Sequence, residues 1–454
     1  QPMHSSTLTV GFAALARTTF DVPLAQAMTA RVRSALTEAG FRLIGPEALV
    51  TSLEEAQVAA QQLAQDLPDL LLIFQATFAD STMLTALAEA VAAPLLLWAV
   101  PEPSSGERLR LNSLCGINLG AFALKRRGLT YAYVYAPPED LAAVEKARVL
   151  AQGGRLRRLL RQARIGRVGD NPEGFEPCAL DEPTLTARLG VQIVPLTLEE
   201  VFAGARATPA GAVTEALTTL QARLDGLDAL DQTAVRGTLA TYLTLRDLAA
   251  RLHLDGLAVR CWPQFFTELG CAACGAMSLL SEELVPCSCE ADVNGNVTQL
   301  ILQWLSGEPA FGADMVAFDM EANTAVLWHC GLAPLAMADP TVRPRGTVHS
   351  NRGLPLLLEF PLKPGRVTLA RLTGGGTAGE LRLVVGSGEM LRAPRSFSGT
   401  SGVLRFDYPA QTVLDVLMNE GLDHHICLTY GEHLAPLLEL ARLLRLPVMQ
   451  LGQP

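Results

Sequence analysis

Two short runs, Leu70–Phe74 and Pro94–Trp98, are apolar at every position and bounded by turn-forming or charged residues. Each is strand-length and lacks the alternation of a half-exposed strand, so both read as strands covered on their two faces. A layered α/β arrangement supplies that cover, with helices packed on either side of a parallel sheet. The neighbouring segments agree. Thr7–Ala13 and Phe41–Ile44 read as further strands, and Ala25–Ala39, Leu53–Gln65 and Thr82–Val91 carry apolar residues at helical spacing. Residues 1–150 are therefore expected to form a doubly wound domain whose loops at the strand C-termini can host ligands. The stretch R-L-N-S-L-C-G-I-N-L-G (110–120), polar and glycine-bearing ahead of an Ala-rich helix, suits such a loop.

The pattern repeats over residues 151–330. The charged helical run Asp140–Arg164 leads to a strand, Ala163–Val168, that ends in the turn-rich G-D-N-P-E-G-F. Helices over Leu180–Leu189, Ala212–Leu224 and Gln232–His253 then alternate with strands at Gln192–Pro195 and Gly256–Cys261. After about residue 331 glycine and proline become frequent and short alternating runs appear, at Val367–Leu372, Glu380–Val385, Glu389–Ala393 and Gly402–Phe406. That spacing predicts an antiparallel sheet or barrel over 331–454, closed by a helix at His433–Leu444. The expected fold class is α/β: two Rossmann-like parallel-sheet domains followed by a β-rich, barrel-like C-terminal domain. The glycine run G-G-G-T-A-G (374–379) follows no parallel strand and opens no helix, so it reads as a hairpin and not as a nucleotide loop.

Composition narrows the function. A chain of 454 residues that is 49% hydrophobic and 18% charged is globular and large enough for several cores. A net charge of −10 argues against nucleic acid as a partner. The longest apolar runs fall far short of the ~20 residues that span a bilayer, and no export signal opens the chain, so a cytoplasmic protein without a membrane partner is expected. Nine cysteines, an odd number in a long chain, point to reduced thiols.

The chemistry-bearing residues lie in the C-terminal half. Glu290 follows a strand-like stretch and precedes N-G-N-V-T-Q-L-I-L-Q-W-L, which puts it where open α/β sheets place their sites. Helix capping is the alternative there, and it is the better reading for Asp292 and Asn294. Asp314 interrupts the apolar run Ala313–Phe318, where a carboxylate is costly unless paired or metal-bound; a loop position is the alternative. Asp319 and Glu321 lie close by. His329 follows another apolar run, and His424 and His425 precede the strand-like I-C-L-T-Y. Neighbouring side chains on a strand face opposite ways, so one of that pair is expected to face a site. Carboxylates with imidazole form a mostly hard ligand set for Mn²⁺, Mg²⁺ or a similar ion. Cys271-x-x-Cys274 with Cys287-x-Cys289 offers a rival zinc site, although its second spacing is unusual and the sequence between is apolar.

Taken in order, R-C-W-P-Q (260–264), C-E-A-D-V-N-G-N-V-T (289–298), F-G-A-D-M-V (311–316), W-H-C-G-L-A-P (328–334) and H-H-I-C-L-T-Y-G (424–431) resemble the L-fucose isomerase family, which is related to the L-arabinose isomerases. R-L-N-S-L-C-G-I-N (110–118) is similar to that family's N-terminal domain. The resemblance implies a metal-dependent aldose–ketose isomerase working through a cis-enediol. It implies Mn²⁺, or another divalent cation such as Mg²⁺ or Co²⁺, held by Glu290, Asp314 and His425, with the two acids doubling as the proton-transfer pair. His329 resembles a further histidine of the arabinose branch and, with Trp262 and Gln264, is an expected substrate contact. A monosaccharide substrate and a homo-oligomer, trimer or hexamer, with sites built between subunits are also implied. The chain is shorter than L-fucose isomerases, so the sugar stays open. A modified, anionic sugar is one alternative, which Arg110, Arg260 or Arg366 near the pocket would favour. A sugar-binding protein without turnover is the other.

Overall fold

The computed structural model describes residues 7–374 and 380–453, and the chain divides into two compact units, one ending at Arg158 and one running from Leu159 onward. The division falls inside the helix Leu141–Leu160. Most of the expected glycine hairpin, residues 375–379, lies outside the described residues.

The N-terminal unit is a parallel five-stranded sheet of order β2-β1-β3-β4-β5, built from β1 (Thr9–Leu15), β2 (Arg42–Ile44), β3 (Leu70–Gln75), β4 (Leu95–Ala99) and β5 (Ala132–Tyr135). Every residue of β3 and β4 is buried, as their apolar runs demand, and the one polar residue, Gln75 at the end of β3, donates to the Thr77 carbonyl. Helices start where the chain supplies caps: Ser52 and Glu55 form a reciprocal capping box, and Asp80 caps Ser81–Ala90. Asp69, fully buried before β3, is held by Arg155 and Arg158 at 2.7 and 2.6 Å.

The second unit contains two sheets. One is parallel, of order β7-β6-β8-β9, from β6 (Arg164–Val168), β7 (Gln192–Leu196), β8 (Gly256–Val259) and the two-residue β9 (Cys287–Ser288). The other has nine strands: β10 (Phe311–Asp319), β11 (Thr324–His329), β12 (Arg345–Thr347), β13 (Leu357–Pro361), β14 (Gly365–Thr373), β15 (Arg382–Leu391), β16 (Thr400–Phe406), β17 (His425–Tyr430) and β18 (Val448–Gln450). Within it β16-β11-β10-β17-β14-β15 run antiparallel to their neighbours, and β15 pairs back with β16, so these strands close into a barrel. The helix Val293–Ser306 joins the layers. Its Asn296 amide donates to the Leu257 and Pro286 carbonyls beside the parallel sheet, and its Thr298 hydroxyl accepts from the Leu372 amide of the barrel. Among the described residues no helix is long and apolar enough to cross a membrane.

Three expectations change. The barrel opens at Phe311 and not after residue 330, so Asp314, expected in the second α/β domain, stands on a barrel strand. The hairpin β10–β11 carries little glycine or proline, and the change of composition that marked the boundary comes later than the change of architecture. The two runs at Glu380–Val385 and Glu389–Ala393 are one strand, β15. Gly386 and Gly388 do not turn the chain there. A Cβ at either would strike Tyr408 Oη or the Arg405 carbonyl, so glycine permits close packing inside a continuous strand. Finally, the N-terminal boundary expected near 150 falls at 158.

Candidate active site and metal centre

Glu290 reaches its place through a backbone turn. Strand β9 ends at Ser288, and Glu290 and Ala291 both take left-handed conformations, with φ of 58° and 54°. Such a residue costs about 1–2 kcal/mol when it is not glycine, and strain of this kind is typical of functional positions. Asp292 then caps the helix Val293–Ser306, accepting from the Gly295 amide at 2.9 Å. The capping role expected of Asp292 holds for one oxygen. The other, Oδ2, lies 2.9 Å from His425 Nδ1.

The barrel provides the opposite side. In the β10–β17 register Asp314 faces His425, and in the β10–β11 register it faces Trp328, so strand pairing alone sets the acid beside the imidazole. His425 Nε2 lies 3.7 Å from Glu290 Oε2 and 3.7 Å from Asp314 Oδ1. Both distances are too long for hydrogen bonds.

The protonation logic follows from Asp292. Burial alone raises its carboxyl, but the Arg371 guanidinium and His425 hold it well below the usual carboxylate range. The ionised Asp292 faces His425 Nδ1 at 2.9 Å and orients the ring so that Nε2 points toward the two carboxylates. Asp314 Oδ1 is buried with no hydrogen-bond partner. A buried carboxylate oxygen with no donor, beside an imidazole, calls for a cation. The carboxylate–imidazole pairing behind His425 is the support that metal-ligating histidines use. His425 therefore belongs to two groups able to hold a cation, one with Cys178, Glu290 and His424 and one with Asp314 and His329, and a divalent ion bound by both acids would sit beside its Nε2.

The remaining groups surround this point in a cavity of about 260 Å³. Trp262 Nε1–H donates to Glu290 Oε1 at 3.2 Å, and His424 Nε2 stands 3.2 Å from Glu290 Oε2. The bond to Glu290 raises His424 above its ordinary value. Both imidazoles of the pair thus face the site, against the strand-alternation expectation. His424 lies in a bend before β17 begins, where alternation has no hold. Burial lowers His329, keeping it neutral, and its Nδ1 accepts from the Cys330 amide at 2.9 Å, so the ring proton sits on Nε2. Burial likewise pushes Asp314 up.

Gln264 does not line the cavity; its carbonyl accepts from Arg260 Nε at 3.1 Å. Asp319 accepts from the Ala322 amide in the hairpin turn, and Glu321 is exposed. The rival zinc ligands are drawn into other pairings. Cys289 Sγ lies 2.9 Å from Cys261 Sγ, Cys274 Sγ lies 3.4 Å from Cys330 Sγ, and Cys287 donates toward the Val285 carbonyl. Among the described residues, the clusters able to hold a metal centre on His425 with Glu290 or Asp314. Sequence reasoning missed Cys178, 3.7 Å from Glu290 Oε2, and Arg371, which is buried and bonded to Asp292 and Asp423 at 2.5 and 2.6 Å. Neither carried a local signal, since each meets the site only through the tertiary fold.

Asp292→Asn tests the support behind His425. The amide cannot fix the tautomer as firmly, and divalent-cation affinity measured by calorimetry should fall roughly 10–100-fold. Unchanged affinity would remove Asp292 from the metal centre.

Residues 11–156 match the fucose/sulfoquinovose isomerase N-terminal domain, and residues 358–452 match the L-fucose isomerase C-terminal domain. With the layered fold and the site around His425, these matches define a sugar isomerase. The sulfoquinovose isomerases of Priestia aryabhattai and Priestia megaterium are each 33% identical over 96% of this chain and 98% of theirs. That of Alkalicoccus urumqiensis is 33% identical over 98% of this chain and 99% of its own. The chain belongs to the fucose and sulfoquinovose isomerase family, and it interconverts an aldose with its ketose.

Proposed function

We propose that the substrate is an aldose bearing an anionic substituent, sulfoquinovose or a sugar of like charge, and that the cation is Mn²⁺. The relatives' names support the first part. The unpartnered Asp314 oxygen, with Glu290 and Asp314 each 3.7 Å from His425 Nε2, is the observation that supports a divalent cation, and the family resemblance supports Mn²⁺ as that cation. The other arginines weighed for an anion are already engaged. Arg110 pairs with Asp21, Arg260 with Gln264 and two carbonyls, and Arg366 with Asp407 and Glu432.

A divalent cation at this centre supplies polarisation of the sugar carbonyl, which makes the neighbouring C2 proton removable. The chain's own groups do the rest. Asp314, made more basic by burial and holding an unpartnered oxygen, takes the C2 proton and returns it to C1. Glu290 moves the hydroxyl proton from O2 to O1 across the cis-enediol, while Trp262 and His424 hold its two oxygens in place. His329, with its proton on Nε2, donates to a sugar oxygen, and the indoles of Trp262 and Trp328 wall the cavity against water. The reading includes a cytoplasmic setting, suited to nine free cysteines, and a trimer or hexamer whose subunits complete one another's sites.

The test is interconversion of a panel of aldoses in D₂O with added Mn²⁺, scoring ketose formation and deuterium at the exchanged carbon. The expected outcome is a kcat/KM for sulfoquinovose at least tenfold above that for L-fucose or glucose, abolished by chelation and restored best by Mn²⁺. A preference for the neutral sugars, or full activity after exhaustive chelation, would overturn the reading.

A further inference from the structure

We infer that Arg352 binds the anionic substituent of the substrate and sets the enzyme's preference for it; the inference rests on the anionic-sugar reading above. Arg352 is the one arginine or lysine among the described residues lining the active-site cavity. It is exposed, and it has no carboxylate within ion-pair distance among the described residues. Its guanidinium lies instead over two aromatic faces, 4.8 Å from the Trp262 ring centroid and 5.3 Å from that of Phe266. Contacts of this kind attract the cation but leave the in-plane N–H fork free. That fork matches the oxygens of a sulfonate, phosphate or carboxylate.

The backbone holds the group in place. His349 O accepts from the amides of both Arg352 and Gly353, at 3.1 and 2.8 Å, and the His349 amide donates to Leu354 O at 2.9 Å. Gly353 closes this turn with φ of 72°, a conformation glycine adopts without strain. The His349 ring packs edge-on against Phe266, with centroids 5.2 Å apart. Burial, and the nearby Arg352, lower His349, so it stays neutral and leaves the arginine as the anchoring charge.

Trp262 sets the distance. One end of its indole donates to Glu290, and its face carries Arg352. Acid and cation thus share one indole, the acid at its edge and the cation over its face, so a sugar whose reacting end lies at Glu290 can carry its anionic group toward Arg352. Charge gives the physical reason. A cavity containing Glu290 and Asp314, in a chain of net charge −10, repels an anionic sugar unless a cation lies where the anion must go. A neutral sugar has no such need.

The experiment compares sulfoquinovose with quinovose, the same six-carbon sugar without the sulfonate, in the wild type, Arg352→Ala and Arg352→Lys. Wild type should favour the sulfonated sugar. In Arg352→Ala the ratio of the two kcat/KM values should fall roughly 10–100-fold, mainly through KM for sulfoquinovose, and Arg352→Lys should recover part of it. Equal losses for both sugars would mark a structural role and overturn the inference, as would an unchanged ratio; either result leaves the proposed function standing. If wild type shows no preference for the sulfonate, the anionic-sugar reading fails and the inference falls with it. Circular dichroism and melting of each variant separate these outcomes from misfolding.

Discussion

Glu290→Gln and Asp314→Asn should each lower kcat by about 10²–10⁴-fold, the range that a positioned acid or base contributes. Each substitution is nearly isosteric, but it replaces an acceptor beside His425 with an amide that presents a donor face. Loss of cation affinity is therefore expected to compound the loss of proton transfer. The two effects separate in solution. Saturating Mn²⁺ should restore part of the activity if binding is the main defect and none if proton transfer is. Deuterium incorporation at C2 reads the chemical step directly. The fold should be unaffected, because Asp314 Oδ1 has no hydrogen-bond partner to lose and the Glu290 turn is held by backbone. Full turnover in either variant would remove that residue from the reaction.

Arg371→Met should produce the largest loss of stability of any single change considered for this chain. Arg371 is only 2% exposed on strand β14, and it meets Asp292 and Asp423 at once while donating to the Pro177 carbonyl at 3.2 Å. Removing it leaves the buried Asp292 and the partly buried Asp423 without their shared cation. Breaking a buried ion pair from one side typically costs about 3–5 kcal/mol. Thermal melting should record a fall on the order of 10 °C in the transition of the unit that contains the barrel. Asp423→Asn should cost less, since Asp292 still neutralises the guanidinium. The sign of the pH dependence follows from Asp292. Its carboxyl is depressed in the folded chain, so the stability it contributes is present above the ordinary carboxylate range and is lost as pH falls toward the folded value. A melting temperature within a degree or two of wild type for Arg371→Met would show the cluster to be dispensable.

Much of this arrangement is legible before any coordinates. Strands β3 and β4 announce themselves because burial on both faces leaves Leu70–Phe74 and Leu95–Ala99 without a polar position to confuse the reading. Glu290, Asp314 and His425 are legible as candidates because a charged or titratable group in an apolar strand-like context needs a reason. What the residues do not disclose is company. Asp292 reads as a cap and is one, yet its second oxygen orients His425 across 133 positions of sequence. His424 reads as the outward partner of His425 only if the strand has already begun. Arg352 reads as one surface arginine among many. Its significance lies in the partner it lacks and in Trp262 beneath it, which no local pattern records. The boundary of the barrel was displaced for a related reason, since composition follows turns and packing, while architecture follows pairing.

The left-handed turn at Glu290 and Ala291 has a consequence for how this enzyme can change. The direction of the side chain at position 290 is written in the backbone, between a two-residue strand and a helix capped by a neighbour. A replacement there inherits the same address and alters only the reactive group delivered to it. Among residues that carry a side chain, asparagine and aspartate tolerate that backbone well but fall one carbon short. The turn thus makes the site permissive toward new chemistry at one position and intolerant of any shift in the residues that frame it.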